Sequence, residues 1–96
     1  MQIDIQSIHF NADQKLITFV EEKLNKIAHI YENIEGAEVY LKLDSSPESN
    51  KVAEIKLLVP GDNLFAKKQC KSFEEAVDSA IDALIKQAKK HKEKIG

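Results

Sequence analysis

With 96 residues, 43% of them hydrophobic and 31% charged, the chain suits one small folded domain and is too apolar to stay disordered. Its formal net charge of −2 excludes a uniformly basic nucleic-acid binder, so any affinity for phosphate must come from uneven placement of charge. The single cysteine excludes an internal disulfide, and neither a membrane-length apolar run nor a basic, apolar leader pattern is present, so a cytoplasmic protein without membrane contact is expected.

The first residues, Gln2 to Ser7, alternate polar and apolar and predict a strand with Ile3 and Ile5 turned inward. Ile8 and Phe10 lead into a turn at Asn11. Asp13 is then placed to cap a helix running to about Tyr31, with Leu16, Val20, Leu24, Ile27 and Tyr31, supplemented by Phe19, as its buried stripe. Lys15, Lys23 and Lys26 face outward, diluted by Glu21 and Glu22, and Gly36 separates the helix from the second strand.

Residues 38–43 alternate again, with Val39, Leu41 and Leu43 inward and Tyr40 and Lys42 outward. The turn-forming cluster at 44–50 returns the chain antiparallel into 52–59, which points Ala53, Ile55, Leu57 and Val59 inward and Glu54 and Lys56 outward. A Pro-Gly turn at 60–63 leads to a fourth strand over 64–71, with Leu64, Ala66 and Cys70 inward and Phe65, Lys67, Gln69 and Lys71 outward. Lysines on this last strand also discourage pairing with other chains.

Residues 72–94 predict one long amphipathic helix. Ser72 and Glu75 form a capping-box pattern, and Phe73, Val77, Ala80, Ile81, Leu84 and Ala88 make its buried stripe. The order β-α-β-β-β-α, one apolar face per strand and one apolar stripe per helix give an α+β fold. Its four-stranded mixed sheet carries both helices on one face and leaves the other wet, and residues 1–96 form a single domain.

The last helix changes sign along its length. Glu74, Glu75, Asp78 and Asp82 precede Ile85 with no lysine among them, and five lysines, His91 and a single acid, Glu93, occupy residues 86–94. Acids at a helix start and cations at its end complement the backbone dipole, at about 0.3–1 kcal/mol each. One or two lysines satisfy that, and five in nine residues repel one another, so the cluster points to an anion. Lys23 and Lys26 alone read as a solvated face, and join the cluster only if the two helices lie side by side. Every cation is lysine, which recognises phosphate as a point charge rather than by a planar fork.

Several of these segments resemble the short ribosome hibernation-promoting factors, grouped with the ribosome-associated inhibitors as the sigma-54 modulation protein family. The residues concerned are the opening at 1–5, the first-helix segment 19–26, the turn at 59–61 and above all the run at 80–94. The resemblance covers essentially the whole chain. It implies a non-enzymatic, single ribosome-binding domain that occupies the tRNA and mRNA channel of the small ribosomal subunit, contacts 16S rRNA and silences translation in stationary phase or stress.

Carried over by position, the rRNA-binding residues are Lys23, Lys26, Lys86, Lys90 and Lys92, with His91 beside them and Lys89 in the same patch. Relatives often place arginine where this chain has Lys86. With its last residue at Gly96, the chain is expected to be of the short type, lacking the dimerisation domain of long members and the acidic tail of the inhibitor type. Pairing of ribosomes would then need a second hibernation factor or another surface.

Two other readings fit the residues without the resemblance. One is a generic double-stranded-RNA-binding domain, which also packs two helices on a sheet. The other is a protein-interaction module that uses the open sheet face without RNA. Tyr40 and Phe65 on that face read as cross-strand packing rather than base stacking, Cys70 as an inert, partly buried residue, and His9 and His29 as structural. The isolated histidines and lone cysteine give no metal spacing, and no nucleophile–base pair or phosphate-cradling glycine loop is evident. No cofactor, metal or small-molecule substrate is therefore expected.

Overall fold

The computed structural model describes the backbone of residues 1–95 and the side chains of residues 1–90. The element order is β1 (Gln2–Ser7), α1 (Gln14–Ile30), β2 (Gly36–Leu43), β3 (Lys51–Val59), β4 (Asp62–Cys70) and α2 (Phe73–Ile95). The four strands form one sheet in the order β1-β2-β3-β4, with β1 and β2 parallel and the other neighbours antiparallel. This is the α+β arrangement expected from the alternation pattern.

Each helix starts where a polar side chain satisfies a free backbone N–H. Asp13 Oδ1 accepts from Leu16 N–H at 2.8 Å, and Ser72 Oγ accepts from Glu75 N–H at 3.2 Å. Only the serine half of the expected capping box forms, because the exposed Glu75 side chain makes no return bond to Ser72 among the described residues. Two glycines are required by their surroundings. Gly61 turns between β3 and β4 at φ +83°, and a Cβ on Gly36 would stand 3.0 Å from the Gln2 carbonyl oxygen of β1.

The core lies between the sheet and the helices. Val20, Leu24, Ile27, Val39, Leu41, Ile55, Leu57, Val77 and Leu84 are almost completely buried, and no buried polar side-chain atom lacks a partner among the described residues. Phe10 stacks on Phe73 with ring centroids 4.9 Å apart, tying the connection after β1 to the start of α2. Because α1 returns antiparallel to β1 and α2 returns antiparallel to β4, both helices run in the same direction. Both therefore run toward the end of the sheet that carries the Pro60–Gly61 turn, and α2 continues past the end of α1.

Three further expectations change. Leu43 is 49% exposed rather than buried: β1 stops at Ser7 opposite Leu41, so Leu43 stands at the end of β2 with no β1 residue beside it. The face away from the helices is not wet throughout. Gln69 on β4 donates to Asp44 Oδ2 at 2.8 Å and to the Ser49 carbonyl at 2.6 Å, drawing the 44–50 loop across one end of that face. Val52, which lies in register between Lys42 and Gln69, is thereby buried on the side away from the core. Tyr40 and Phe65 stand on strands separated by β3 and do not pack on each other; Phe65 is 49% exposed.

Candidate nucleic-acid interface

The solvent-facing ridge of α2 follows from its buried stripe. With Val77, Ala80, Leu84 and Ala88 fixed against the sheet, the helical repeat turns Asp78, Asp82, Lys86, Lys89 and Lys90 outward, and all five are exposed. Acids occupy the half beside α1, and lysines occupy the half beyond it. Lys86, Lys89 and Lys90 form no ion pair with any described residue. The side chains of His91 and Lys92 lie outside the described residues.

The helices do lie side by side. Lys23 of α1 reaches Asp78 of α2 with Nζ–Oδ1 2.9 Å, and the same ammonium sits 5.4 Å from the centre of the Phe19 ring. This bridge fixes the height of one helix against the other. Lys86 and Lys90 then follow about 12 and 18 Å further along α2 than Asp78, at about 1.5 Å per residue. Lys26, one turn beyond Lys23, is exposed and closer to the α2 lysines.

The candidate cations thus divide into two kinds. Lys23 is already engaged by a carboxylate, whereas Lys26, Lys86, Lys89 and Lys90 are open to solvent. The Lys23–Asp78 pair is partly exposed, and such pairs are worth about 0.2–1 kcal/mol, little enough for a phosphate to compete for the ammonium.

The opposite face of the sheet offers a different chemistry. Lys42 binds Glu54 at 2.7 Å, Lys56 lies opposite Glu38 in register, and Lys67 lies opposite Glu54. Tyr40 donates its hydroxyl to Glu38 at 3.1 Å. That hydrogen bond, with the charges of Glu38, Asp4 and Glu54, pushes the phenol above its ordinary range. A face on which each of these lysines has an acid opposite or attached is poorly suited to a polyanion.

Among the described residues no group of three or more His, Cys, Asp or Glu side chains could hold a metal. Cys70 is free and half-buried, and no described helix is long and apolar enough to cross a membrane. His9 is exposed and has a left-handed backbone at φ 64°, and His29 is exposed at the end of α1.

Sequence reasoning did not find Gln87. Its side chain forms two hydrogen bonds with the backbone of Phe65, accepting from the N–H at 3.2 Å and donating to the carbonyl at 2.8 Å. An amide at the edge of an apolar stripe was the available signal, but the distant strand that it meets has no local signature.

Comparison with known proteins agrees with this fold. Residues 3–96 match the family model described as sigma 54 modulation protein / S30EA ribosomal protein. A ribosome hibernation promoting factor from Pseudomonas putida is 31% identical over 94 residues, covering 98% of this chain and 89% of the relative. The Escherichia coli K12 protein of the same name is 27% identical over 95 residues, covering 99% and 97%. Among solved structures, a ribosomal subunit interface protein from Coxiella burnetii superposes with a TM-score of 0.87 at 20% identity, covering 96% of this chain and 98% of that one. The N-terminal domain of Thermus thermophilus Protein Y gives 0.82 at 24% identity, covering 95% and 99%. At these identities the two structures support the fold alone.

Proposed function

The chain belongs to the sigma 54 modulation protein / S30EA ribosomal protein family, and from that premise we propose that it is a ribosome-associated hibernation-promoting factor. It binds 16S rRNA of the small subunit in the tRNA and mRNA channel and silences translation in stationary phase or stress. It acts by occupancy: the lysine ridge docks on phosphate, the rigid domain fills the channel, and no bond is made or broken. The names of the similar bacterial proteins support the ribosomal role.

The observation that carries the RNA contact is the segregation of charge along α2. Lys86, Lys89 and Lys90 share a surface ridge whose acids Asp78 and Asp82 lie in the other half, Glu93 being the single acid of residues 86–94, and Lys26 of the parallel α1 stands nearby. Lys23, His91 and Lys92 complete the proposed contact set. Lysine point charges read the phosphate backbone, so specificity comes from the shape of a folded RNA. Pairing of ribosomes falls to a second hibernation factor, and the site of action is the cytoplasm.

Co-sedimentation with purified small subunits at rising salt tests the reading. The parent protein is expected to bind with a log–log salt slope of about 0.7–0.9 per phosphate neutralised. Changing Lys86, Lys89, Lys90 and Lys92 together to Glu is expected to abolish binding. Persistent binding by that variant would rule out the ridge, and equal affinity for free duplex RNA would replace this reading with a generic duplex binder.

A further inference from the structure

β4 is an edge strand, and at Phe65 its outward backbone groups are closed by one side chain. Gln87 accepts from the Phe65 N–H at 3.2 Å and donates to the Phe65 carbonyl at 2.8 Å. The amide stands where the peptide group of a neighbouring strand would stand, and it matches one donor and one acceptor at once.

The position of this clamp on α2 is informative. Gln87 follows Lys86 directly and precedes Lys90 by three residues. The helical repeat sets both lysines on one flank of Gln87, with Lys89 next to them, and the buried Leu84 and Ala88 on the other flank. The buried stripe decides which face of α2 lies on the sheet, but apolar contact is non-directional and leaves small rotations about the helix axis open. Ala88, the last described buried residue of α2, is also small. The paired bonds of Gln87 are therefore the last described directional contact between α2 and the sheet before Lys89 and Lys90.

We propose that Gln87 is a positioning residue for the lysine ridge, holding the rotation of α2 so that Lys86, Lys89 and Lys90 meet one RNA surface together. This rests on the RNA-binding reading of the ridge. A single lysine can absorb a small helix rotation in its flexible stem. Three lysines on one ridge are displaced in the same sense, so their misalignment adds up.

The test is a double-mutant cycle on binding to purified small ribosomal subunits. Gln87→Met keeps length and helix preference but removes both bonds. Faster hydrogen exchange at the Phe65 amide reports that the clamp has opened. The variant is expected to keep the parent fold, to melt a few degrees lower as the loss of one or two modest hydrogen bonds requires, and to bind about three- to tenfold more weakly than the parent.

In a Lys86→Gln, Lys89→Gln, Lys90→Gln background, the same substitution is expected to leave the residual binding unchanged. An equal loss in both backgrounds would overturn positioning in favour of a general stability role. Parent-like binding by Gln87→Met, with the lysine variant impaired, would overturn positioning and leave the RNA reading intact. Parent-like binding by the lysine variant would overturn the ridge itself, and this inference with it.

Discussion

The helical face and the open sheet face carry the same residue types and use them in opposite ways. On the sheet, Lys42 is bound to Glu54, Lys56 faces Glu38 and Lys67 faces Glu54, so positive potential is cancelled within one strand spacing. On α2, four acids precede five lysines, with Glu93 the single acid among the lysines, and the lysine half extends beyond the end of α1. A protein of net charge −2 can thus present a cationic surface because of placement rather than quantity.

The two faces differ most in stability. Leu84 is fully buried under the ridge, whereas Phe65 is 49% exposed on the sheet. Leu84→Ala is expected to cost about 2–5 kcal/mol in chemical denaturation, from lost burial and the cavity left behind. Phe65→Ala is expected to stay within about 0.5 kcal/mol, as for other surface positions. A large cost at Phe65 would mean that the sheet face is covered.

A charge exchange then separates the faces in binding. Replacing Lys86 and Lys90 by Gln removes two phosphate contacts, so the salt slope should fall by about 1.4–1.8 and affinity near 0.1 M salt roughly thirtyfold. The matching pair on the sheet, Lys56→Gln with Lys67→Gln, should leave both quantities unchanged. Co-sedimentation of the two double variants across a salt series decides it, and equal losses would move the interface to include the sheet.

Much of this division was readable from the chain alone. The alternation in β2 and β3 placed Val39, Leu41, Ile55 and Leu57 on one side, and stripes at spacings of three and four placed Val20, Leu24, Val77 and Leu84 beneath the helices. The change of sign along α2 was equally plain. Contacts made by residues far apart in the chain were not. No local pattern joins Lys23 to Asp78, Gln69 to the 44–50 loop, Phe10 to Phe73 or Gln87 to Phe65. Leu43 looked internal because alternation records which side a residue faces, but not where the covering layer stops.

The Lys23–Asp78 bridge lies within the acidic half of the ridge, and a smaller effect is expected there. Asp78→Asn removes the carboxylate that now holds the Lys23 ammonium at 2.9 Å. Stability should fall by no more than about 1 kcal/mol, because the pair is partly exposed. Affinity for small subunits should rise instead, with the salt slope steeper by about 0.7–0.9 if Lys23 gains a phosphate. An unchanged slope would confine the RNA contact to the α2 lysines and Lys26.

The smallest effect is expected on the sheet face, at Tyr40. Its phenol is held above the ordinary range first by its hydrogen bond to Glu38, and then by the nearby carboxylate charges of Glu38, Asp4 and Glu54. A raised folded-state pKa means that the folded protein holds this proton more tightly than the unfolded chain does. The associated stabilisation is present below the phenol's unfolded value and is lost as pH rises through the folded one. Glu38→Gln should lower the Tyr40 titration toward its ordinary value, as followed by ultraviolet absorbance in a Tyr31→Phe background. It should leave binding to small subunits untouched at neutral pH, where the phenol is protonated in both proteins. A shift in titration accompanied by a loss of binding would make the acidic sheet face a participant in docking, and the contrast between the two faces would no longer hold.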